Sequence, residues 1–301
     1  MNIVITGSLG NISKPLTQQL VKAGHQVTVI SSTSERQAQI EANGAKAAIG
    51  TMQDVDFLTN TFTGADAVYL MESLGHDFFF NKEIDANAEL IKIGENYKQA
   101  VEQSGVKRIV HLSSIGAHTN QGNGILAFHH DIEQILKQLP DDVAITTLRP
   151  VGFYYNMFSF IPLIKNMGVI ASNYTTTYKE PWVSPLDIAD VAAVELTTAF
   201  AGRKVRYIAS DELTSDEVAT ILGEAIGKPD LQWIVITDEQ QLDGMLKAGM
   251  NIQTAKGLVE MNTARGTGEL FEDYFKNKPA LGKVKLTDFA KDFTAAYHQK
   301  Q

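Results

Sequence analysis

Two short stretches of this chain combine residue types that can do chemistry. The first is Thr6-Gly7-Ser8-Leu9-Gly10-Asn11-Ile12-Ser13, two glycines three apart between an apolar run and a helix-like segment. Where a strand ends in such a turn and a helix opens from it, backbone N–H groups converge unbonded and the positive end of the helix dipole faces the turn. That arrangement is a site for a phosphate or diphosphate. Gly7 permits the tight turn, and Gly10 lets an anion approach the backbone without meeting a Cβ. Ser13 holds the place of a third glycine and is small enough for close helix–strand packing. The second stretch is Phe128-His129-His130-Asp131-Ile132-Glu133, where His129 and Glu133 stand four apart on one helix face. A histidine titrates near neutrality and can give or hold a proton. Adjacent residues on a helix do not converge, so His129, His130 and Asp131 are not a metal site.

The elements around the glycine turn decide whether it binds a nucleotide. Asn2 to Ile5 reads as a buried strand, Ile12 to Ala23 as a helix, and Gln26 to Ile30 as a second strand. This βαβ unit of about 30 residues is what the dinucleotide fingerprint requires. Strand-like and helix-like runs then alternate to residue 150. Helices are expected at 34–42, 54–62, 82–104 and 128–139, and strands at 45–49, 67–71, 108–113 and 144–148. The expected fold class is therefore α/β, a doubly wound parallel sheet of Rossmann type with a smaller, mostly helical C-terminal lobe. Residues 1–150 form the dinucleotide-binding domain in this reading, with 186–209 returning to it. Residues 151–185 and 210–301 form a substrate lobe. The stretch 151–185 is aromatic-rich and has no clean period. Asp187 is expected to cap a helix over 187–200, Thr214 and Glu217 show capping-box spacing, and helices are expected near 238–248, 252–263 and 286–298.

The strand ends should carry the ligand. The second strand ends Ile30-Ser31-Ser32-Thr33-Ser34-Glu35-Arg36, with no acid at its tip to hold an adenosine ribose. Ser31 and Ser32 offer hydroxyls and Arg36 can reach a 2′-phosphate, which favours NADP while leaving NAD open. The cofactor contacts expected are Gly7, Ser8, Leu9, Gly10, Asn11, Ile12, Ser31, Ser32, Arg36, Met71, Glu72, Ser73 and His129. Phe153, Tyr154, Tyr155 and Trp182 are candidate walls for a planar substrate, and His129 and Tyr154 are the candidate catalytic residues. The Tyr-x-x-x-Lys pair of common short-chain reductases is missing from the helix after the fifth strand; Tyr274 to Lys278 has that spacing but stands far from the sheet edge.

Composition sets bounds. A net charge of −9 and a pI near 5.3 argue against a nucleic-acid surface, and the absence of cysteine excludes disulfides and thiol chemistry. A first strand starting at residue 2 leaves no room for a leader. No apolar run reaches the roughly 20 residues that span a bilayer, so a cytoplasmic monomer or homodimer is expected.

The chain resembles the NmrA-like family of atypical short-chain dehydrogenases/reductases, in its quinone-reductase-like branch. The likeness runs through Thr6–Gly10, Gly64–Leu70, Ser104–Val110, His129 with Glu133, Thr147-Leu148-Arg149-Pro150, Phe153–Asn156, and Trp182–Ala192. It implies an NAD(P)H-dependent reductase that passes hydride to a small planar apolar acceptor such as a quinone. The alternative is a non-catalytic NAD(P)-binding redox sensor. Ser32 stands where relatives often hold the 2′-phosphate with Arg, and His129 stands where some carry Lys.

Overall fold

The computed structural model describes residues 1–75 and 79–299. The N-terminal half alternates as the sequence predicts. In order come β1 (Asn2–Ile5), α1 (Ser13–Lys22), β2 (Gln26–Ser31), α2 (Gln37–Ala42), β3 (Lys46–Ile49), α3 (Val55–Phe62), β4 (Ala67–Leu70), α4 (Ala86–Ser104), β5 (Arg108–Leu112), α5 (Ala127–Leu136) and β6 (Ala144–Pro150). The looser stretch beyond contains β7 (Gly152–Phe153), a 3₁₀ run over 154–160, α6 (Ile161–Met167), β8 (Val169–Ser172) and β9 (Glu180–Val183). Then follow α7 (Pro185–Thr197), β10 (Arg203–Ile208), β11 (Asp211–Leu213), α8 (Ser215–Ala225), β12 (Gln232–Val235), α9 (Asp238–Lys247), α10 (Ile252–Thr267), α11 (Glu272–Lys276) and α12 (Leu286–His298).

Seven strands form one parallel sheet in the order β10-β6-β5-β4-β1-β2-β3. The chain leaves β3 at one edge and re-enters beside β1 as β4, so the order reverses there and the carboxyl ends of β1 and β4 flank a crevice. Successive side chains of a strand point to opposite faces, and two cores result. Ile3, Ile5, Val27 and Val29 meet Leu16, Leu20, Ile188 and Leu196 of α1 and α7. Val4, Val68 and Ile109 meet Leu58, Tyr97 and Ile132 of α3, α4 and α5. A third core gathers Tyr154, Met157, Trp182, Leu222, Trp233 and Phe293.

Several boundaries differ from the sequence reading. Residues 151–185, which showed no period, hold three short strands. β7 and β11 pair with β9, and β8 pairs with β12; runs of two to four residues are too short to display an alternation. Helix α4 starts at Ala86 rather than Lys82, because the Asp85 carboxylate accepts the Ala88 N–H at 3.1 Å and fixes the first turn there. Thr214 and Glu217 do form their capping box on α8.

Asp187 does not cap α7. Ser184 does, its hydroxyl accepting from Leu186 N at 3.2 Å, with Pro185 opening the helix. The buried Asp187 carboxylate instead accepts the Ser210 hydroxyl at 2.6 Å and the N–H groups of Lys283 and Val284, each at 3.1 Å. It thereby ties the segment after α11 to the sheet. Replacing it with Ala leaves three donors without their acceptor, so Asp187→Ala should lower unfolding stability by about 2–4 kcal/mol. The check is the urea midpoint at unchanged m-value.

Candidate functional site

The glycine turn is built as its sequence requires. Gly7 has φ +83°, and a Cβ there would lie 2.7 Å from Met71 Sδ and 2.8 Å from Ser13 Oγ, so any other residue is excluded twice. Ser8 follows at φ +53°, the one non-glycine residue with positive φ among those described. A Cβ on Gly10 would sit 3.1 Å from the Gly7 carbonyl. The Ser13 hydroxyl donates to the Thr6 carbonyl at 3.0 Å, pinning the start of α1 against the end of β1. Asp54, Asp85, Ser184 and Thr214 cap their helices with side-chain oxygens, but no side chain caps α1. The N–H groups of Gly10 and Lys14 bond the Gly7 and Gly10 carbonyls, and with no capping side chain the turn between them can receive an anion.

Beside the turn lies a hydroxyl chain. Arg36 Nη1 donates to Ser8 Oγ at 3.3 Å, Ser8 Oγ to Ser31 Oγ at 3.0 Å, and Ser31 Oγ to the Thr33 carbonyl at 3.3 Å. An exposed guanidinium is thus held over the tip of β2. Ser32 is exposed there as well, and Asn11 is exposed on the turn. The side chains of Leu9 and Ile12 pack into the first core, leaving their backbone to face the turn.

The ends of β4 and β5 carry buried charge. Glu72 is expected at the cofactor, yet its carboxylate turns inward: His111 Nε2 lies 3.0 Å from Oε1 and 3.3 Å from Oε2, and neither side chain has any exposure. Burial pulls the His111 imidazole down, but the Glu72 charge, the Glu72 hydrogen bond and more distant Glu133 outweigh it, so it titrates above its ordinary value. Ser73 is exposed and its hydroxyl accepts the Gly75 N–H at 3.2 Å. Tyr97, enclosed in the second core, donates its hydroxyl to the Met71 carbonyl at 2.6 Å.

His129 opens α5 with its ring 3.9 Å from that of Phe128. Burial, reinforced by the nearby His111, pushes its imidazole down to about 3. It therefore stays neutral across ordinary pH and is not an imidazolium acid. One turn on, Glu133 is buried and fully engaged. It accepts Arg149 Nε at 2.9 Å, Arg149 Nη2 at 2.7 Å and the Ser113 hydroxyl at 2.6 Å. Arg149 Nη1 continues to the Tyr207 hydroxyl at 3.0 Å and Asp273 at 3.2 Å. This network joins α5, β5, β6, β10 and α11. It also forms one wall of a cavity of about 610 Å³ between α7, β10 and residues 277–283, away from the crevice.

Tyr154 is not poised for catalysis. It is fully buried in the third core, stacked 5.7 Å from Phe289, with its hydroxyl donated to Asp211 at 2.7 Å. Burial raises that hydroxyl far above the usual tyrosine range, and Asp211 raises it further. Trp182 is core too, with the Arg265 guanidinium 4.8 Å above its ring. Of the four candidate wall aromatics, Phe153 and Tyr155 keep exposed surface. Sequence reading passed over His111, Tyr207 and Asp273. The available signal for His111 was a titratable residue inside the otherwise apolar run Ile109-Val110-His111-Leu112. No group of described residues could hold a metal ion, and no helix among them is long and apolar enough to cross a membrane.

The sequence profile of the NmrA-like family matches residues 1–291. An NAD(P)H azoreductase of Xenophilus azovorans is 24% identical over 260 residues, covering 86% of this chain and 85% of that protein. An NADPH-dependent quinone oxidoreductase from Escherichia coli, solved with NADPH, has a similar fold. It superposes with a TM-score of 0.80 at 20% identity over 96% of this chain and 99% of its own. The triphenylmethane reductase of a Citrobacter species, solved with NADP(H), gives a TM-score of 0.75 at 22% identity, over 97% of this chain and all of its own.

The Glu133–Arg149 pair should be structural first. Arg149→Met strands a buried carboxylate and should destabilise the fold by about 3–5 kcal/mol. Glu133→Gln, which keeps an acceptor for Arg149, should lose clearly less. Comparable losses in paired urea titrations would contradict that ranking.

Proposed function

The chain belongs to the NmrA-like family, and from that premise we propose that it is an NAD(P)H-dependent reductase of small planar acceptors such as quinones. The observation that carries this reading is the uncapped α1 N-terminus behind a Gly7–Gly10 turn whose glycines admit no Cβ without displacement. Those residues suit a dinucleotide diphosphate. Ser31 and Ser32 with Arg36, held on Ser8, suit an adenosine 2′-phosphate better than a bare ribose, since no carboxylate at the β2 tip repels it. Met71 and His129 would border the rest of the cofactor, which when bound supplies the hydride. By name, the relatives reduce azo compounds, quinones and triphenylmethane compounds, which supports a conjugated, planar substrate class.

What the chain's own residues do follows from their state. A neutral His129 can donate or accept one hydrogen bond without repelling an apolar ring, and the Phe128 ring lies 3.9 Å from it, tilted by 33°. Phe153 and Tyr155 would offer the C-terminal lobe's share of the wall. Hydride transfer to a quinone depends mainly on proximity and exclusion of water, so the missing Tyr/Lys pair is tolerable. That same absence suits a redox sensor without turnover, and this is the second reading.

Oxidation of NADPH and NADH against a panel of benzo- and naphthoquinones separates the two. Turnover well above the blank is expected; binding of NADPH without turnover on any acceptor would establish the sensor instead. Arg36→Ala should weaken NADPH binding about tenfold, the loss of one charge-assisted contact, while moving NADH by less than about twofold. Titration calorimetry with both cofactors reads this directly, and equal losses would remove Arg36 from 2′-phosphate recognition.

A further inference from the structure

Tyr97 carries a hydroxyl where core packing alone has no need of one. Its ring is fully enclosed in the second core, in the cluster of Leu58, Val68 and Ile109. A phenylalanine would fill that volume, and a buried hydroxyl is costly unless it is bonded. The hydroxyl oxygen lies 2.6 Å from the Met71 carbonyl and 2.8 Å from Met52 Sδ. It has one proton to give, and a carbonyl is a far stronger acceptor than a thioether. Tyr97 therefore donates to Met71, with the Met52 sulfur against its oxygen. The residue before it, Asn96, donates from Nδ2 to the Met52 carbonyl at 3.1 Å. Two consecutive residues of α4 thus hold the chain just past β3 and just past β4.

Met71 is the residue at which β4 leaves the sheet. Pairing with β1 ends at Tyr69 and pairing with β5 at Leu70, so Met71 lies beyond both ladders. Its N–H is accepted by Thr6 Oγ1 at 2.8 Å. Thr6 Oγ1 also stands 3.4 Å from the Met71 carbonyl, but its proton is closer to Tyr69 O, at 3.1 Å. Tyr97 is therefore the donor that holds the Met71 carbonyl. With both peptide groups fixed, the Met71 side chain is aimed at the glycine turn. Its Sδ and Cγ lie 2.7 Å and 3.0 Å from the place a Gly7 Cβ would take. A continuous line of contact runs from the Tyr97 hydroxyl through Met71 to Gly7.

We infer that Tyr97 is a positioning residue for the dinucleotide, holding the Gly7–Gly10 turn, through Met71, in the shape that seats a diphosphate. The inference rests on the cofactor part of the reading above, not on the acceptor. A turn fixed before its ligand arrives loses less freedom on binding, and that difference appears as affinity. The diphosphate is common to NADP and NAD, so the Tyr97 hydroxyl supports both equally. Arg36, over the tip of β2, acts on the 2′-phosphate that only one of them carries. The two residues therefore leave different signatures in the same titration.

Tyr97→Phe removes the hydroxyl and keeps the ring. Calorimetric titration of wild type and variant with NADPH, NADH and ADP-ribose should show a loss of about tenfold, by the same factor for all three. Val101→Ala, one turn further along α4 and buried in the same core, is the control for packing. It should lower the urea midpoint while NADPH affinity stays within about twofold of wild type. In quinone reduction, Tyr97→Phe should raise the KM for NADPH about tenfold with kcat within about twofold. Wild-type affinity in Tyr97→Phe overturns the inference, as does a loss confined to NADPH or one shared by Val101→Ala. If Tyr97→Phe does not fold, Met71→Ala keeps both backbone hydrogen bonds and withdraws the sulfur from the turn. It should show the same uniform loss, and wild-type affinity there overturns the inference. A wild type that binds NADPH but reduces no quinone overturns the reductase reading alone, since the titration needs no turnover. One that binds none of the three ligands overturns both.

Discussion

The site depends on how β1 and β4 are clamped where they part. Thr6 is fully buried at that point. Its hydroxyl accepts the Met71 N–H at 2.8 Å and donates to the Tyr69 carbonyl at 3.1 Å, while its own N–H also bonds Tyr69 O. One side chain thus bonds the backbone of both Tyr69 and Met71 where the strands diverge. The clamp brings Met71 Sδ to the place a Gly7 Cβ would take. It also sets Glu72 within reach of His111 on the next strand. The phosphate turn and the buried charges are therefore positioned by the same few bonds.

Two buried acid–base pairs stand behind the crevice, and their saturation distinguishes them. Glu133 accepts three hydrogen bonds, two from one guanidinium fork, and Arg149 passes its remaining donors to Tyr207 and Asp273. A network so complete rigidifies the elements it joins. The Glu72–His111 pair is incomplete, with the second ring nitrogen buried and without a partner among the described residues. Saturated pairs make good scaffold. Unsaturated ones persist against their desolvation penalty where chemistry makes use of them.

The parts of this arrangement that were legible in the sequence are those fixed by local rules. The turn could be read because only glycine meets the dihedral at position 7, and α8 because Thr214 and Glu217 satisfy a three-residue rule. Arg36 stood near enough to the β2 tip that helical geometry alone brought it over Ser8. Glu72 was misread because its partner is 39 residues away, on a strand whose side-chain direction is known only once the register is. Tyr154 failed for a related reason. An aromatic two residues beyond the β7 start can face the crevice or the third core, and Asp211, 57 residues further on, takes its hydroxyl into the core. Asp187 matched the residue type of a cap, but Ser184 preceded it and left its carboxylate for the backbone of Lys283 and Val284.

Under the proposed reading, a weak acid–base set is a fitted property of the site. Reducing a simple carbonyl generates an alkoxide, a strong base, and stabilising it calls for a strong donor at the reacting oxygen. Reducing a quinone generates an aromatic oxygen anion that is far less basic, so the barrier falls less for any given donor. A charged imidazolium at the tip of α5 would gain little for such an acceptor and would hold water in the crevice. The Glu72–His111 pair itself lies fully buried, with no exposure of either side chain. His129, kept neutral by burial and with the Phe128 ring tilted against it at 3.9 Å, brings no charge to that tip.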